Sequence, residues 1–191
     1  MRDNEFTKIL GWSGYRVFRH EIKETAMTLR LWVRRKRGNR KLVCSGCGRK
    51  FTEAHDYYQR EVRDLPWRKY QTTVIIELYR VCCPECGVKI EKVPQLPGKA
   101  PFSKDFEDAV GLACESASVR QVARQFGLVA STVRAIDLRY LKRWSAARRK
   151  EPLEQMGVDE IYFGKQMKFI TVVSNLGALV VRPGSQTGNP R

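Results

Sequence analysis

Hydrophobic and polar positions alternate between residues 27 and 34, and this pattern predicts a half-buried β-strand. One face carries Met27, Leu29, Leu31 and Val33, and the other carries Thr28, Arg30, Trp32 and Arg34. Because successive side chains of a strand point to opposite faces, one face is expected to be apolar and the other basic. Trp32, like Tyr57 and Tyr58, has two interpretations: packing on a small sheet, or stacking on nucleic-acid bases.

A second strand is predicted over residues 72–81, which alternate and are rich in β-branched side chains. The segment 93–101, "VPQLPGKAP", has three prolines and one glycine, which disfavour both helix and central strand, so a linker is expected there. Ser103 then offers an N-cap for a helix that runs to about Ser116. Its first turn is expected to hold Asp105, Glu107 and Asp108, where the helix dipole favours negative charge.

Residues 118–144, "SVRQVARQFGLVASTVRAIDLRYLKRW", carry two apolar faces at helical spacing on either side of Gly127. The pattern predicts two short helices joined by a glycine turn, as in the helix-turn-helix of DNA-binding proteins, although a small helical bundle could produce it by chance. The second helix would present Ser131, Thr132, Arg134, Ala135 and Leu138 to a major groove, with Arg139, Lys142 and Arg143 nearer the phosphates.

The charge of the chain indicates the kind of partner it binds, because a net charge of +16 favours a polyanion. The whole excess lies before residue 151, and the segment from Arg30 to Lys50 holds nine bases and no acid. Its densest cluster is "RRKR", which consists of Arg34, Arg35, Lys36 and Arg37. A solvated basic surface would explain one cluster, but a second near residues 120–150 favours double-stranded DNA as the partner.

Six cysteines are present, and four of them form the pairs "CSGC" and "CPEC", each followed by a glycine. Four thiolates suit tetrahedral Zn²⁺, so Cys44, Cys47, Cys83 and Cys86 are the predicted ligands of a zinc ribbon. A redox dithiol or a coincidental pair of motifs remains open, because the gap between the pairs is long. The neighbouring Cys82 competes for one ligand place, but Cys83 alone keeps the two-residue spacing. Cys114 is expected to be a buried helical side chain and His55 a surface one.

The chain has no apolar run long enough to span a bilayer, and no signal peptide is visible at its amino terminus. A soluble protein without a membrane partner is therefore expected. The predicted location is the bacterial cytoplasm, in association with the nucleoid.

Three short β-prone runs follow the basic helical segment: "MGVDEIYF", "KFITVVSN" and "GALVVR". Asp159 falls inside the first run. A carboxylate on a buried strand is costly unless it is paired or binds a metal. This position is therefore a candidate functional site.

The order of these parts resembles the insertion-sequence transposases of the ISL-three family, which join a zinc ribbon, a helix-turn-helix and a DDE catalytic domain with a ribonuclease-H-like fold. The resemblance rests on "CSGC", "RDLPW", "LYRVCCPEC", the helix-turn-helix and "MGVDEIYFGKQMKFITVVSN". It implies that Asp159 is the first of three catalytic carboxylates that hold Mg²⁺ for DNA strand transfer. Adjacent strand residues face opposite ways, so Glu160 cannot join Asp159 on one metal face.

No Asp or Glu occurs after Glu160, so the second and third carboxylates are missing and an early end of the catalytic domain is expected. The predicted fold class is α+β and multidomain. Residues 1–93 hold the strand region and zinc ribbon, 94–102 a linker, 103–150 the helix-turn-helix bundle, and 151–191 the first strands of an incomplete ribonuclease-H-like domain.

Two functions follow from this organisation. The first is a transposase-like protein that binds element terminal repeats and is inactive alone. It would act as a homo-oligomer or together with full-length transposase. The second is a DNA-binding repressor of transposition or transcription.

Overall fold

The computed structural model describes residues 3–147, 155–162 and 169–175, and the chain divides into two compact units, residues 1–144 and 145–191. Within the described residues, the first unit and the helix that leaves it comprise α1 (Asp3–Leu10), β1 (Tyr15–Lys23), β2 (Thr28–Arg35), β3 (Leu42–Val43), β4 (Lys50–Phe51), β5 (Asp56–Arg63), β6 (Gln71–Cys83), β7 (Gly87–Ile90), α2 (Lys104–Cys114), α3 (Val119–Phe126) and α4 (Ala130–Ala147). The second unit contains β8 (Met156–Tyr162) and β9 (Phe169–Asn175). The content is thus mixed α and β.

The main sheet has five strands, in the order β1-β2-β6-β5, with β7 paired to the far end of β6. The β2–β6 pair is parallel and the other pairs are antiparallel. The strand predicted over residues 27–34 is β2, and its alternation is as expected, because Leu29, Leu31 and Val33 are buried. The predicted strand 72–81 is the longer β6.

One face of the sheet is covered by α1, which the sequence analysis did not predict. Phe6 of α1 is buried among the inward residues Val17, Leu29 and Leu31. The helix carries Asp3 and Glu5 in its first turn, the sequence signal that could have revealed it. Within the described residues, no helix covers the opposite face of the β1–β2 hairpin, where Arg16, Arg19 and Arg34 are all exposed.

The helical part begins where it was predicted to begin, with Ser103 as the N-cap of α2. Its Oγ accepts a hydrogen bond from the Phe106 amide at 3.1 Å. The core of this bundle lies between α2, α3 and α4 and is made of Phe102, Phe106, Val110, Val122, Ala123, Val133 and Ile136. Cys114 is half-buried against this core.

Residues 93–101, predicted as a linker, contain neither helix nor strand and are packed against the sheet. Val93 is buried in the sheet core, and the amide of Arg63 donates to the Pro101 carbonyl at 2.9 Å. Arg60 also donates to the carbonyl oxygens of Gly98 and Ala100. These contacts attach the segment to the edge strand β5 and hold the first turn of α2 beside it.

In the second unit, β8 and β9 pair antiparallel, with Asp159 opposite Val172. They correspond to the first two of the three β-prone runs. The third run, residues 177–182, lies outside the described residues. A ribonuclease-H-like arrangement stays a prediction for this unit.

Among the residues that the structure describes, no helix is both long and apolar enough to cross a bilayer.

Candidate metal centre and nucleic-acid interface

The two C-x-x-C pairs sit on tight turns that follow the ends of two strands. Cys44 comes directly after β3, and the Gly48 amide donates to its carbonyl at 3.0 Å. Gly48 and Gly87 follow the two pairs with φ of 78° and 70°, a conformation that favours glycine. The long strand β6 runs from the main sheet to Cys83. The long gap between the pairs is therefore filled by the β5–β6 hairpin.

The structure brings together the four cysteines that the spacing singled out. The sulfur atoms of Cys44, Cys47, Cys83 and Cys86 all lie within 4.8 Å of one another. Within the described parts of the chain, no other group of three or more His, Cys, Asp or Glu side chains is placed to share one ion. Cys83 is buried in this cluster, whereas Cys82 is exposed and lies outside it. His55 is exposed and does not contribute.

The chemistry of this cluster suits a structural Zn²⁺. Hydrogen bonds from the Cys47 and Gly46 amides lower the pKa of the Cys44 thiol to about 7. In contrast, the hydrogen bond between the Cys86 and Cys47 sulfurs raises the pKa of the Cys86 thiol to about 12. Without a metal, the clustered sulfurs thus share protons through hydrogen bonds. A divalent cation would bind the four sulfurs as thiolates and displace these protons. The turns are also closely packed, since a Cβ on Gly46 would lie 2.7 Å from the Cys86 sulfur.

Arg35 and Glu91 hold the basic loop that follows β2, residues 36–41, against the zinc ribbon. The Glu91 side chain is fully buried, its Oε1 accepts from the Tyr79 amide at 3.0 Å, and its Oε2 pairs with Arg35. Arg35 also donates to the Asn39 and Lys41 carbonyls. Arg35 was predicted to contact DNA. The structure gives it a second role, because its guanidinium group fixes the loop that follows β2.

The other three residues of the "RRKR" cluster face solvent, and two of them, Lys36 and Arg37, line a shallow cavity. Arg34, Lys36 and Arg37 are exposed. The cavity, of about 300 Å³, is lined by Arg35, Lys36, Arg37, Asn39, Arg40, Leu42, Thr52, Ala54 and Tyr79. Its basic groups and neutral polar side chains match the chemistry of a phosphate contact.

The helix-turn-helix is built by clear local signals. Ser118 caps α3 in a capping box with Gln121. Gly127 ends the helix with φ of 60°, and the Leu128 amide donates to the Ala123 carbonyl at 2.8 Å. The second helix, α4, starts at Ala130, close to the predicted Ser131, but reaches Ala147 and is longer than expected.

The predicted groove-facing row of α4 lies on its outer side. Ser131, Arg134, Ala135 and Leu138 are exposed and Thr132 is half-buried, while Val133 and Ile136 are fully buried against the bundle. Val129, which precedes the helix, is 65% exposed. The helix is thus fixed by its inner face and presents a mixed polar and apolar outer row.

Two of the predicted phosphate contacts have intramolecular partners. Arg139 donates to Oε1 of Glu107 and Arg143 donates to Oε2 of the same carboxylate at 3.0 Å. Arg143 also pairs with Asp108 at 2.6 Å. These arginines hold α4 against α2, a role that the sequence analysis missed, and their phosphate contact stays a prediction. Lys142, by contrast, is exposed.

Asp159 is exposed on β8, and its Oδ1 accepts the Glu160 amide at 2.8 Å. It belongs to no group of three potential metal ligands among the described residues. The Mg²⁺ site that the resemblance implies therefore stays a prediction.

Comparison with known proteins gives two matches that follow one another along the chain. Residues 40–89 match the zinc-finger of transposase IS204/IS1001/IS1096/IS1165. Residues 91–141 match the helix-turn-helix domain of transposase family ISL3. No solved structure matches the chain significantly.

Similar whole proteins include two transposases. The chain is 29% identical over 180 residues to the transposase for insertion sequence element IS1001 of Bordetella parapertussis, covering 91% of this chain and 43% of that protein. It is 28% identical over 142 residues to the transposase for insertion sequence element IS1557 of Mycobacterium tuberculosis H37Rv, covering 68% and 30%. The chain thus spans less than half the length of these relatives. With both domain matches in the same order as its ribbon and helix-turn-helix, the chain belongs to the ISL3 family of transposases.

Proposed function

We propose that the chain binds duplex DNA through α3 and α4, as the DNA-binding part of an insertion-sequence transposase. The observation that carries this proposal is the outer row of α4 in a family-matched helix-turn-helix. That row is exposed while the inner face of the same helix is buried. A helix with this arrangement can enter a major groove without unpacking the bundle.

The row gives each residue a role. Arg134 is suited to donate two hydrogen bonds to one guanine, and Ser131 and Thr132 can donate to or accept from base edges or phosphates. Leu138 and Ala135 would contact thymine methyl groups. Lys142 lies farther along α4 and would contact phosphate. Arg139 and Arg143 would support this surface by holding α4 through Glu107.

The zinc ribbon adds a second point of contact. Lys36 and Arg37 would bind phosphates at the cavity that follows β2, where Arg35 holds the loop in place, and Arg34 would bind phosphate from β2 itself. The zinc ion would cross-link the two C-x-x-C turns and have no catalytic role. Phosphate contacts of this kind position a protein on DNA and make its affinity depend on salt.

The finer organisation belongs to the same proposal. Residues 1–93 form the strand and ribbon region, 94–102 connect it to the helix-turn-helix in 103–150, and residues 151–191 start a DDE catalytic domain in which Asp159 is one carboxylate. The DNA would be the terminal repeats of an insertion sequence. A homo-oligomer or a full-length transposase would be the partner during transposition.

The test is a selection from a random duplex pool with the purified zinc-loaded protein, followed by binding measurements on the selected site and on a scrambled duplex. We expect Arg134→Ala to lower the preference for the selected site by about tenfold or more, the value of one good bidentate base contact. Lys8→Ala removes a charge from α1, far along the chain from the helix-turn-helix, and should leave the preference unchanged. If no site is enriched, or if both variants behave alike, the proposal fails.

A DNA-binding regulator is the second candidate. It is supported by the same exposed outer row of α4, because a regulator needs only DNA binding. A cleavage and strand-transfer assay on the selected duplex with Mg²⁺ separates the two functions. Activity that is lost in Asp159→Asn would support transposition, whereas binding without any chemistry would support regulation.

A further inference from the structure

The outer face of the β1–β2 hairpin carries three arginines that lie outside both domain matches. Arg16 and Arg19 lie on β1 and Arg34 lies on β2, and all three are exposed. Both domain matches begin after this hairpin, at residues 40 and 91. The face lies on the opposite side of the sheet from α1, which packs against Val17, Leu29 and Leu31.

A β-bulge places these arginines together. The pairing of β1 with β2 shifts between Val17 and Arg19, so that Arg16 stands opposite Arg34 and Arg19 stands opposite Trp32. Phe18 occupies the shift, and the Arg34 guanidinium lies over its ring at 4.7 Å from the centroid. The bulge therefore adds an aromatic ring to the basic face without breaking the buried Val17–Val33 pair.

Aromatic contacts hold two of the three arginines, Arg19 and Arg34, and leave their hydrogen-bond donors available. The Arg19 guanidinium lies 4.4 Å from the centroid of Trp32, in addition to the Arg34–Phe18 contact. A guanidinium group that is held through its face still presents its N–H groups at its edges. Among the described residues, no carboxylate pairs with Arg16, Arg19 or Arg34. Arg35, Arg139 and Arg143 differ, because carboxylates accept their donors.

The charges at this end of the hairpin are uncompensated. Arg16 and Arg34 stand directly opposite each other on neighbouring strands, a like-charge pair that destabilises a sheet. At the other end of the same face the arginine is neutralised, because Arg30 pairs with Glu61 and stands opposite Glu21. An anionic partner would offset the repulsion at the Arg16 end and would have no such effect at the Arg30 end.

We infer that Arg16 and Arg19 extend the proposed contact of Arg34 into a phosphate-binding surface on the sheet, which binds the backbone of duplex DNA outside the helix-turn-helix. Duplex phosphates fit better than single-strand bases because Arg19 and Arg30 both cover the Trp32 ring, at 4.4 and 5.2 Å, so the ring is not open for base stacking. The face also continues into the exposed Lys36 and Arg37 at the end of β2. The inference rests on the proposed function.

The test compares salt dependence in Arg16→Gln/Arg19→Gln with that of the unaltered protein, on the selected duplex and on a scrambled duplex. Each lost phosphate contact makes the slope of log K against log salt less negative by about 0.9, so the double variant should change it by about 1.8. We expect Kd at low salt to rise on the order of tenfold on both duplexes. The preference for the selected site should not change, because phosphate contacts carry no sequence information.

Two further variants control this experiment. Arg16→Lys/Arg19→Lys keeps the charge and should restore most of the slope. Lys8→Gln/Lys69→Gln removes the same charge from α1 and from the turn before β6 and should keep the slope of the unaltered protein. Thermal unfolding should show that all variants remain folded, because the altered side chains are exposed.

The result that would overturn the inference is a slope in Arg16→Gln/Arg19→Gln equal to that of Lys8→Gln/Lys69→Gln. If Arg134→Ala still loses its site preference in that case, the proposed function stands and only this sheet surface is rejected. If the unaltered protein binds neither duplex, the proposed function is rejected as well.

Discussion

Glu107 on α2 and Arg139 on α4 form an ion pair that joins the first and last helices of the DNA-binding bundle. The Glu107 side chain is fully buried, and Nε of Arg139 donates to its Oε1 at 3.0 Å. Arg143 binds the second carboxylate oxygen, so both oxygens of this buried group are used. The position of α4 therefore depends on a charge that lies in the first turn of α2.

Replacement of Glu107 should destabilise the bundle strongly. Glu107→Gln leaves two arginines without their shared carboxylate, and we expect a loss of about 3 kcal/mol in the free energy of unfolding, because breaking a buried ion pair has a cost of this order. Urea denaturation followed by circular dichroism measures it. Glu61→Gln removes an exposed partner of Arg30 and should cost no more than about 1 kcal/mol. Equal losses in the two variants would contradict the structural role of Glu107.

The sequence predicted the features that depend on residues close to one another along the chain. The alternation around Leu29 and Leu31 gave β2, Ser103 gave the start of α2, and the C-x-x-C spacing gave the four clustered thiols. Each of these signals involves residues that are close in sequence, where steric and hydrogen-bonding preferences act directly.

Contacts between distant residues were not predictable in the same way. Glu107 was expected to be a first-turn acid near the helix dipole, but its partners Arg139 and Arg143 follow 32 and 36 residues later. The parallel pairing of β2 with β6 is likewise a long-range contact. Which arginines bind carboxylates and which remain available to DNA therefore depends on tertiary packing, and composition alone cannot separate them.

Zinc binding should depend on Cys83 and not on its neighbour Cys82. Cys83→Ser removes a sulfur from the cluster of four, whereas Cys82 is exposed and lies outside it. We expect the purified Cys83→Ser protein to lose bound zinc and the Cys82→Ser protein to retain one equivalent. Elemental analysis after dialysis measures the zinc content. Loss of zinc in Cys82→Ser alone would show that the ligand assignment is wrong.

The turn that carries Cys44 and Cys47 should tolerate no side chain at Gly46. A Cβ at this position would lie 2.7 Å from the sulfur of Cys86 and 3.2 Å from its Cβ, so Gly46→Ala must displace a ligand. We expect weaker zinc binding, measured by competition with a chromogenic chelator. Gly38→Ala is the matched control, because nothing lies within 4 Å of its added Cβ and its φ is not in the left-handed region. Equal zinc affinities in the two variants would contradict this packing constraint.

Asp64 should make the stability of the first unit depend on pH in a direction opposite to that of a surface aspartate. Its side chain is 5% exposed, and burial raises its pKa above the ordinary value of 3.8, although the Ser103 hydroxyl donates to its Oδ1 at 2.7 Å. Between 3.8 and the raised pKa the folded protein binds more protons than the unfolded chain. The free energy of unfolding therefore falls as pH rises through this range.

Asp64→Asn removes this titration and keeps an oxygen that can accept from Ser103. We expect the stability of the variant relative to the unaltered protein to increase as pH rises from 3.8, as measured by urea denaturation across a pH series. Thiol protonation at the zinc site affects both proteins equally and cancels in the difference. Asp56→Asn supplies the opposite sign, because the hydrogen bond from Arg80 lowers the pKa of Asp56. That pair is stabilising above 3.8, and its contribution is lost as pH falls through the lowered pKa. A difference for Asp64→Asn that does not vary with pH would contradict the raised pKa.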